Sequence, residues 1–167
     1  TESLHLHWTW EWYKPYIGIL IDKNDRKYVI PLSSAKEKHK TWKNVNKECY
    51  LIYETSHKSN MGNEDIWVLI DGDIVKHILS VMDIKKMIPL VDGVYSRVDI
   101  NKNNEDTDEV KKYKDLLNKE YSFCLKVINE VIEKANKLYE KQMKTGKVDM
   151  FCCDFAALEE AAEIGRA

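Results

Sequence analysis

A chain of 167 residues, 44% of them hydrophobic, suits one domain around one core, and only the run "NKNNEDTDE" reads as disordered. A formal net charge of −2 excludes a molecule that holds nucleic acid through bulk positive charge, and no apolar stretch approaches the ~20 residues that span a bilayer. The four cysteines (Cys49, Cys124, Cys152, Cys153) lack zinc-ribbon or CxxC spacing and there is no signal-peptide pattern, so free thiols in a cytoplasmic protein are the simplest expectation.

In chain order, "LHLHWTWEWY" alternates Leu4, Leu6, Trp8, Trp10 and Trp12 with polar residues, the period of a half-buried strand. "YIGILID" (16–22) and "KYVIPL" (27–32) flank "KNDR" and predict a hairpin. "CYLIYE" (49–54), "IWVLI" (66–70), "HILSVMDI" (77–84), "MIPL" (87–90) and "VYSRVDI" (94–100) predict further strands. Beyond residue 106 the period becomes helical, through Val110, Tyr113, Leu117 and Tyr121 and then Leu125, Ile128, Ile132, Ala135 and Tyr139. One helix, or two broken near Ser122, fits that spacing. Asp106, Asp108 and Glu109 suit the start and Gly146 the end, and a last helix follows Asp154. Strands first and helices after predict an α+β fold with an antiparallel sheet.

The segment of chemical interest is "YVIPLSSAKEKHK" (28–40). It delivers Ser33, Ser34, Lys36 and His39 to the end of a strand, and residues 36 to 43 hold four lysines against one glutamate. Hydroxyls donate to phosphate oxygens, ammonium groups neutralise them, and a histidine titrates near neutrality. Lys14 precedes the first hairpin strand, so pairing of the two strands would bring it beside Ser33 to Lys36. On pattern alone an ordinary polar turn with solvated lysines is the commoner outcome. His5 and His7 share a strand face without a third metal ligand, the tryptophan stripe reads as core before base platform, and Asp71-Gly72-Asp73 reads as a tight turn.

The order of landmarks says more. "PYIGILI", "KYVIPLSSAKEKH", "CYLIYE", "VMDIKKMIPL" and "FCCDFAALEE" together resemble the type III toxin–antitoxin endoribonucleases, the ToxN/AbiQ-like toxins, from about Lys14 to Glu160. The resemblance implies a single endoribonuclease toxin domain over 1–167, with 1–13 atypical for the family. It implies a compact, twisted antiparallel sheet of the Kid/MazF kind with packed C-terminal helices. The implied activity is sequence-specific RNA cleavage without metal or other cofactor, leaving a 2′,3′-cyclic phosphate and a 5′-hydroxyl. Growth arrest and abortive infection by phage would follow.

The implied partners are substrate RNA and a small pseudoknotted antitoxin RNA, which the toxin also processes and which closes with it into a ring, a heterohexamer. Carried over by position, the catalytic set is Ser34, Ser33, Lys36, Lys14 and His39. Lys38, Lys40, Lys43, Trp42 and Tyr16 would contact RNA. A non-catalytic RNA- or DNA-binding module, using the same lysines as a phosphate track, is the competing reading. A phosphate track needs no ordered hydroxyl, so Ser34, Lys36 and Lys14 together favour the enzyme.

Overall fold

The computed structural model describes residues 18–23 and 26–164, and within them seven strands precede two α-helices. The chain divides into two units, one made of residues up to Leu32, Asp83–Val98 and from Val127 onward, the other of Ser33–Met82 and Asp99–Lys126. The strand pairs with a described register are all antiparallel. The α+β expectation holds.

In the first unit, β1 (Gly18–Lys23) pairs with β2 (Arg26–Ser34) from Gly18↔Pro31 to Lys23↔Arg26, the expected hairpin. Gly18 has a steric reason: a β-carbon there would collide with the Ile30 carbonyl oxygen and the Val29 side chain. Val29 and Ile30 are fully buried, so β2 is covered on both faces at its centre. The two-residue strand β7 (Ile88–Pro89) pairs with β2 at Tyr28 and Val29. Helix α2 (Phe155–Ile164) packs on β7, and its Phe155 meets Tyr28 edge-on at 5.8 Å and stacks on Tyr139 at 6.0 Å. Glu159 ties the trio together, accepting from Tyr28 Oη at 2.6 Å and from Tyr139 Oη at 3.1 Å.

In the second unit, the end of β2 leads into a short 3-10 turn, Glu37–Thr41, which packs against β5 (Ile66–Asp71). β5 pairs with β6 (Ile74–Asp83) through the Asp71-Gly72-Asp73 turn, where Gly72 takes φ +52. β4 (Cys49–His57) lies beside β6 and carries β3 (Val45–Asn46) on its other side. Leu51, Ile78 and Val81 form the local core, with Ala35, Trp42, Cys49, Tyr53, Ile66 and Val68 packed against it.

Helix α1 runs unbroken from Asp108 to Thr145, so the one-helix alternative is the correct one, and Ser122 is an exposed residue within it. Thr107 Oγ1 accepts from Val110 N–H at its start, and Gly146 (φ +64) ends it with a bond to the Gln142 carbonyl. The expected strand 94–100 does not form. Only an isolated bridge at Arg97 appears, after a turn in which Gly93 takes φ +86. The alternating tryptophan strand lies outside the described residues. All four cysteines are free, as expected. Among the described residues no helix is long and apolar enough to cross a membrane.

Candidate active site

β2 changes character at its end. After the buried centre at Val29 and Ile30, Ser33 and Ser34 emerge exposed, while the next residue, Ala35, turns back onto the Leu51–Ile78–Val81 core. Two hydroxyls are thus presented between two anchored positions, one within the strand and one packed against the core. Ser33 Oγ makes a long 3.5 Å bond to the Val81 carbonyl oxygen. Ser34 opens into a cleft of about 520 Å³ lined also by Asp65, His77, Lys112, Asp115 and Lys119.

Lys36 sits exposed at the head of the 3-10 turn, with extended backbone (φ −138, ψ 160). Its backbone N–H donates to His39 Nδ1 at 2.9 Å, and its carbonyl accepts from His39 N–H at 2.8 Å. His39 is therefore the clamp that closes this turn. It is only 4% exposed and meets the Trp42 ring edge-on at 4.6 Å. Burial, then the nearby charges of Lys38 and Lys36, hold its pKa below the usual 6.5 and keep the ring neutral with Nδ1 as acceptor. This geometry gives His39 the task of fixing the backbone that carries Lys36.

The candidate RNA contacts separate into two groups. Lys38 and Lys43 are exposed, with the Lys38 ammonium 5.6 Å from the Trp42 ring centre. Lys40 is paired with Glu37 at 2.9 Å, and Trp42 is part of the core packing. Lys14 and Tyr16, like His5 and His7, lie outside the described residues. Ser33, Ser34, Lys36 and His39 are thus brought together at one strand end.

His77 and Lys119, which line the cleft, belong to a second set of groups that motif reading passed over. His77, on β6, places Nδ1 3.0 Å from Glu54 Oε1 of β4 and Nε2 3.5 Å from Asp65 Oδ1. The Lys119 ammonium of α1 donates to the same Glu54 oxygen at 2.8 Å. Burial pushes the Glu54 carboxyl up, but hydrogen bonds from Lys119 and His77 outweigh it and hold the group ionised, below the usual carboxylate range. A signal existed in the sequence. His77 interrupts an apolar run ("IVKHILSVM") and Glu54 ends another ("CYLIYE"), positions where a titratable residue needs a partner.

The family model for ToxN, the toxin of type III toxin–antitoxin systems, matches residues 10–163. The chain belongs to the ToxN family. It is 26% identical over 157 residues to the endoribonuclease ToxN of Bacillus thuringiensis subsp. kurstaki, covering 90% of this chain and 68% of that one. Similarity to the endoribonuclease ToxN of Pectobacterium atrosepticum is also 26%, over 147 residues, 88% of this chain and 72% of that one. Among solved structures, AbiQ, a lactococcal anti-phage endoribonuclease of a type III system, superposes with a TM-score of 0.67 over 99% of both chains at 19% identity. A chain from a type III system, in which a non-coding RNA pseudoknot selectively inhibits the toxin, superposes with a TM-score of 0.59. That match has 25% identity and covers 93% of this chain and 82% of the other. The ToxN-like fold, an antiparallel sheet with packed C-terminal helices, is therefore shared.

Proposed function

We propose that this ToxN-family chain is an endoribonuclease toxin of a type III toxin–antitoxin system, acting as a single domain, with Ser34 at the scissile phosphate. The observation that carries the reading is the exposed Ser34, held at a strand end between the buried centre of β2 and the half-buried Ala35 and lining a cleft with lysines on its wall. Family membership supplies the toxin class, and relatives named as endoribonucleases supply the reaction.

The chemistry is attack of a ribose 2′-hydroxyl on the adjacent phosphate, leaving a 2′,3′-cyclic phosphate and a 5′-hydroxyl. Ser34 orients the 2′-hydroxyl or donates to a phosphate oxygen, with Ser33 beside it, while Lys36 and Lys14 stabilise charge on the phosphate. Such a reaction needs charge stabilisation and proton transfer, which hydroxyl, ammonium and imidazole groups supply without a metal. Among the described residues, no group of three or more His, Cys, Asp or Glu side chains could hold a metal ion. The antitoxin is a pseudoknotted RNA cut from a precursor by the toxin and closed with it into a heterohexameric ring. Free toxin cuts messenger RNA at defined sequences and arrests growth, the basis of abortive infection.

Ser34→Ala tests the reading. Alanine fits an extended strand end, so stability changes by no more than about 0.5 kcal/mol. Loss of a transition-state donor lowers cleavage by roughly 10²–10³-fold. The protein becomes non-toxic on expression yet still shifts the antitoxin RNA in a gel. A toxic Ser34→Ala protein refutes the assignment, and one that is folded, non-toxic and unable to bind RNA favours the phosphate-track module.

A further inference from the structure

His77 lines the Ser34 cleft and has the layout of a proton-transfer residue: one ring nitrogen is fixed by a carboxylate and the other is held only loosely, by a residue that also lines the cleft. Glu54 is ionised and so can only accept, which makes Nδ1–H the donor of the 3.0 Å contact. Nε2 faces Asp65, another wall residue, at the looser distance of 3.5 Å. Asp65 is itself fixed, since its Oδ2 accepts from Gly62 N–H at 2.7 Å. Lys119 completes the support by donating to the same Glu54 oxygen at 2.8 Å. A base-and-orienter arrangement of this kind is what proton transfer in a cleft requires. Each ring nitrogen faces a carboxylate oxygen, which suits a histidine that donates through Nε2, an acid rather than a base.

We propose that His77, oriented by Glu54, is the general acid that protonates the leaving 5′-oxygen, an inference that rests on the endoribonuclease reading. The 2′-oxygen forms its bond to phosphorus and gives its proton to water. The bond from phosphorus to the 5′-oxygen breaks, its electron pair stays on that oxygen, and the His77 Nε2 proton moves onto it. Solvent then reprotonates the ring. The charged groups around His77 are Glu54 from β4, Asp65 and Glu64 ahead of β5, and Lys112, Asp115 and Lys119 from α1.

Sulfur substitution separates an acid from a structural histidine, because a thiolate leaves without a proton. Wild-type, His77→Gln and Glu54→Gln proteins are compared on RNA mapped as cut by the wild type, and on the same RNA with sulfur replacing the bridging 5′-oxygen at that linkage. On ordinary RNA His77→Gln cleaves roughly 10²–10⁴-fold more slowly than wild type, with Glu54→Gln slowed less. On the sulfur-bridged RNA both defects shrink to within about tenfold, the thiolate having taken over what the acid supplied. Equal defects on the two substrates, or no defect, overturn the assignment of His77 and leave the endoribonuclease reading intact. A wild-type protein that cuts no RNA at the mapping step overturns that reading and the inference with it. If circular dichroism shows both variants to be unfolded, the wild type alone decides. With leaving-group protonation supplied by the protein, it then cuts the sulfur-bridged RNA no more than about tenfold faster than the oxygen-linked RNA, and a far larger gain from sulfur overturns the proposal.

Discussion

His39 and Glu120 are both buried titratable residues, and they load the fold in opposite pH directions. His39 has a depressed pKa through burial and the lysines beside it, so the unfolded chain takes up the proton first as pH falls. Its stabilising contribution is complete above 6.5 and is lost as pH drops through and below that value. Glu120 is 5% exposed, and burial pushes its carboxyl up from 4.5. A raised acid contributes stability below 4.5 that is lost as pH rises through its folded value, so the ionised form burdens the fold at neutrality. His39→Ala should lower stability by roughly 1–3 kcal/mol by leaving the Lys36 N–H without its acceptor, and should flatten the acid-side decline. Glu120→Gln should raise the thermal midpoint at neutral pH, by roughly 2–4 °C per kcal/mol released, and change little in acid. Thermal midpoints measured across both pH windows check the two signs. At this scale the sequence names the residues but not their burial. Ser33, Ser34 and Lys36 announce themselves by order, whereas the role of His39 depends on a 2.9 Å contact three residues back along the chain.

Two of the landmarks that carry the family resemblance prove to be one structural joint. "DIKKMIPL" opens with Asp83 Oδ1 accepting from Lys85 N–H, which starts a short 3-10 turn with Ile84 and Met87 buried. "FCCDF" docks on it, Cys153 N–H donating to the Lys85 carbonyl at 2.8 Å. Gln142 of α1 locks the joint: its Nε2 donates to the Cys153 carbonyl at 3.0 Å and its Oε1 accepts from Phe155 N–H at 2.7 Å. Gln142→Leu should cost about 1–3 kcal/mol for each backbone group left unpaired, read as a lower urea midpoint. An unchanged midpoint would show that the joint bears no load. Element types were legible wherever a run had a partner: the runs expected at 16–22 and 27–32 are close in sequence and pair, from Gly18↔Pro31 to Lys23↔Arg26. The run 94–100 has the right residues but makes only one isolated bridge, because β-branched composition does not supply a neighbouring strand. On α1 the expected stripe included Val110 and Leu125, which are exposed, while Cys124, Val131 and Leu138 are buried. Helical spacing over 38 residues admits more than one apolar stripe, and packing selects among them.

For the molecule as a whole, a net charge of −2 says little about RNA, because the relevant charge is local. Lys36, Lys38 and Lys43 are exposed around the Ser34 strand end, whereas Lys40 is engaged by Glu37. Antitoxin RNA affinity should therefore fall steeply with salt. Lys38→Ala or Lys43→Ala should each reduce the log–log slope by about 0.7–0.9, and Lys40→Ala by less. Equal slopes for all three variants and the wild type would move the RNA to another surface. The central claim, a metal-independent endoribonuclease, is met most directly by incubating the purified protein with mixed RNA in EDTA and mapping the ends. Cleavage should persist and leave 2′,3′-cyclic phosphate and 5′-hydroxyl termini. Cleavage that stops on chelation and returns with magnesium, or that leaves 3′-hydroxyl and 5′-phosphate termini, would contradict it.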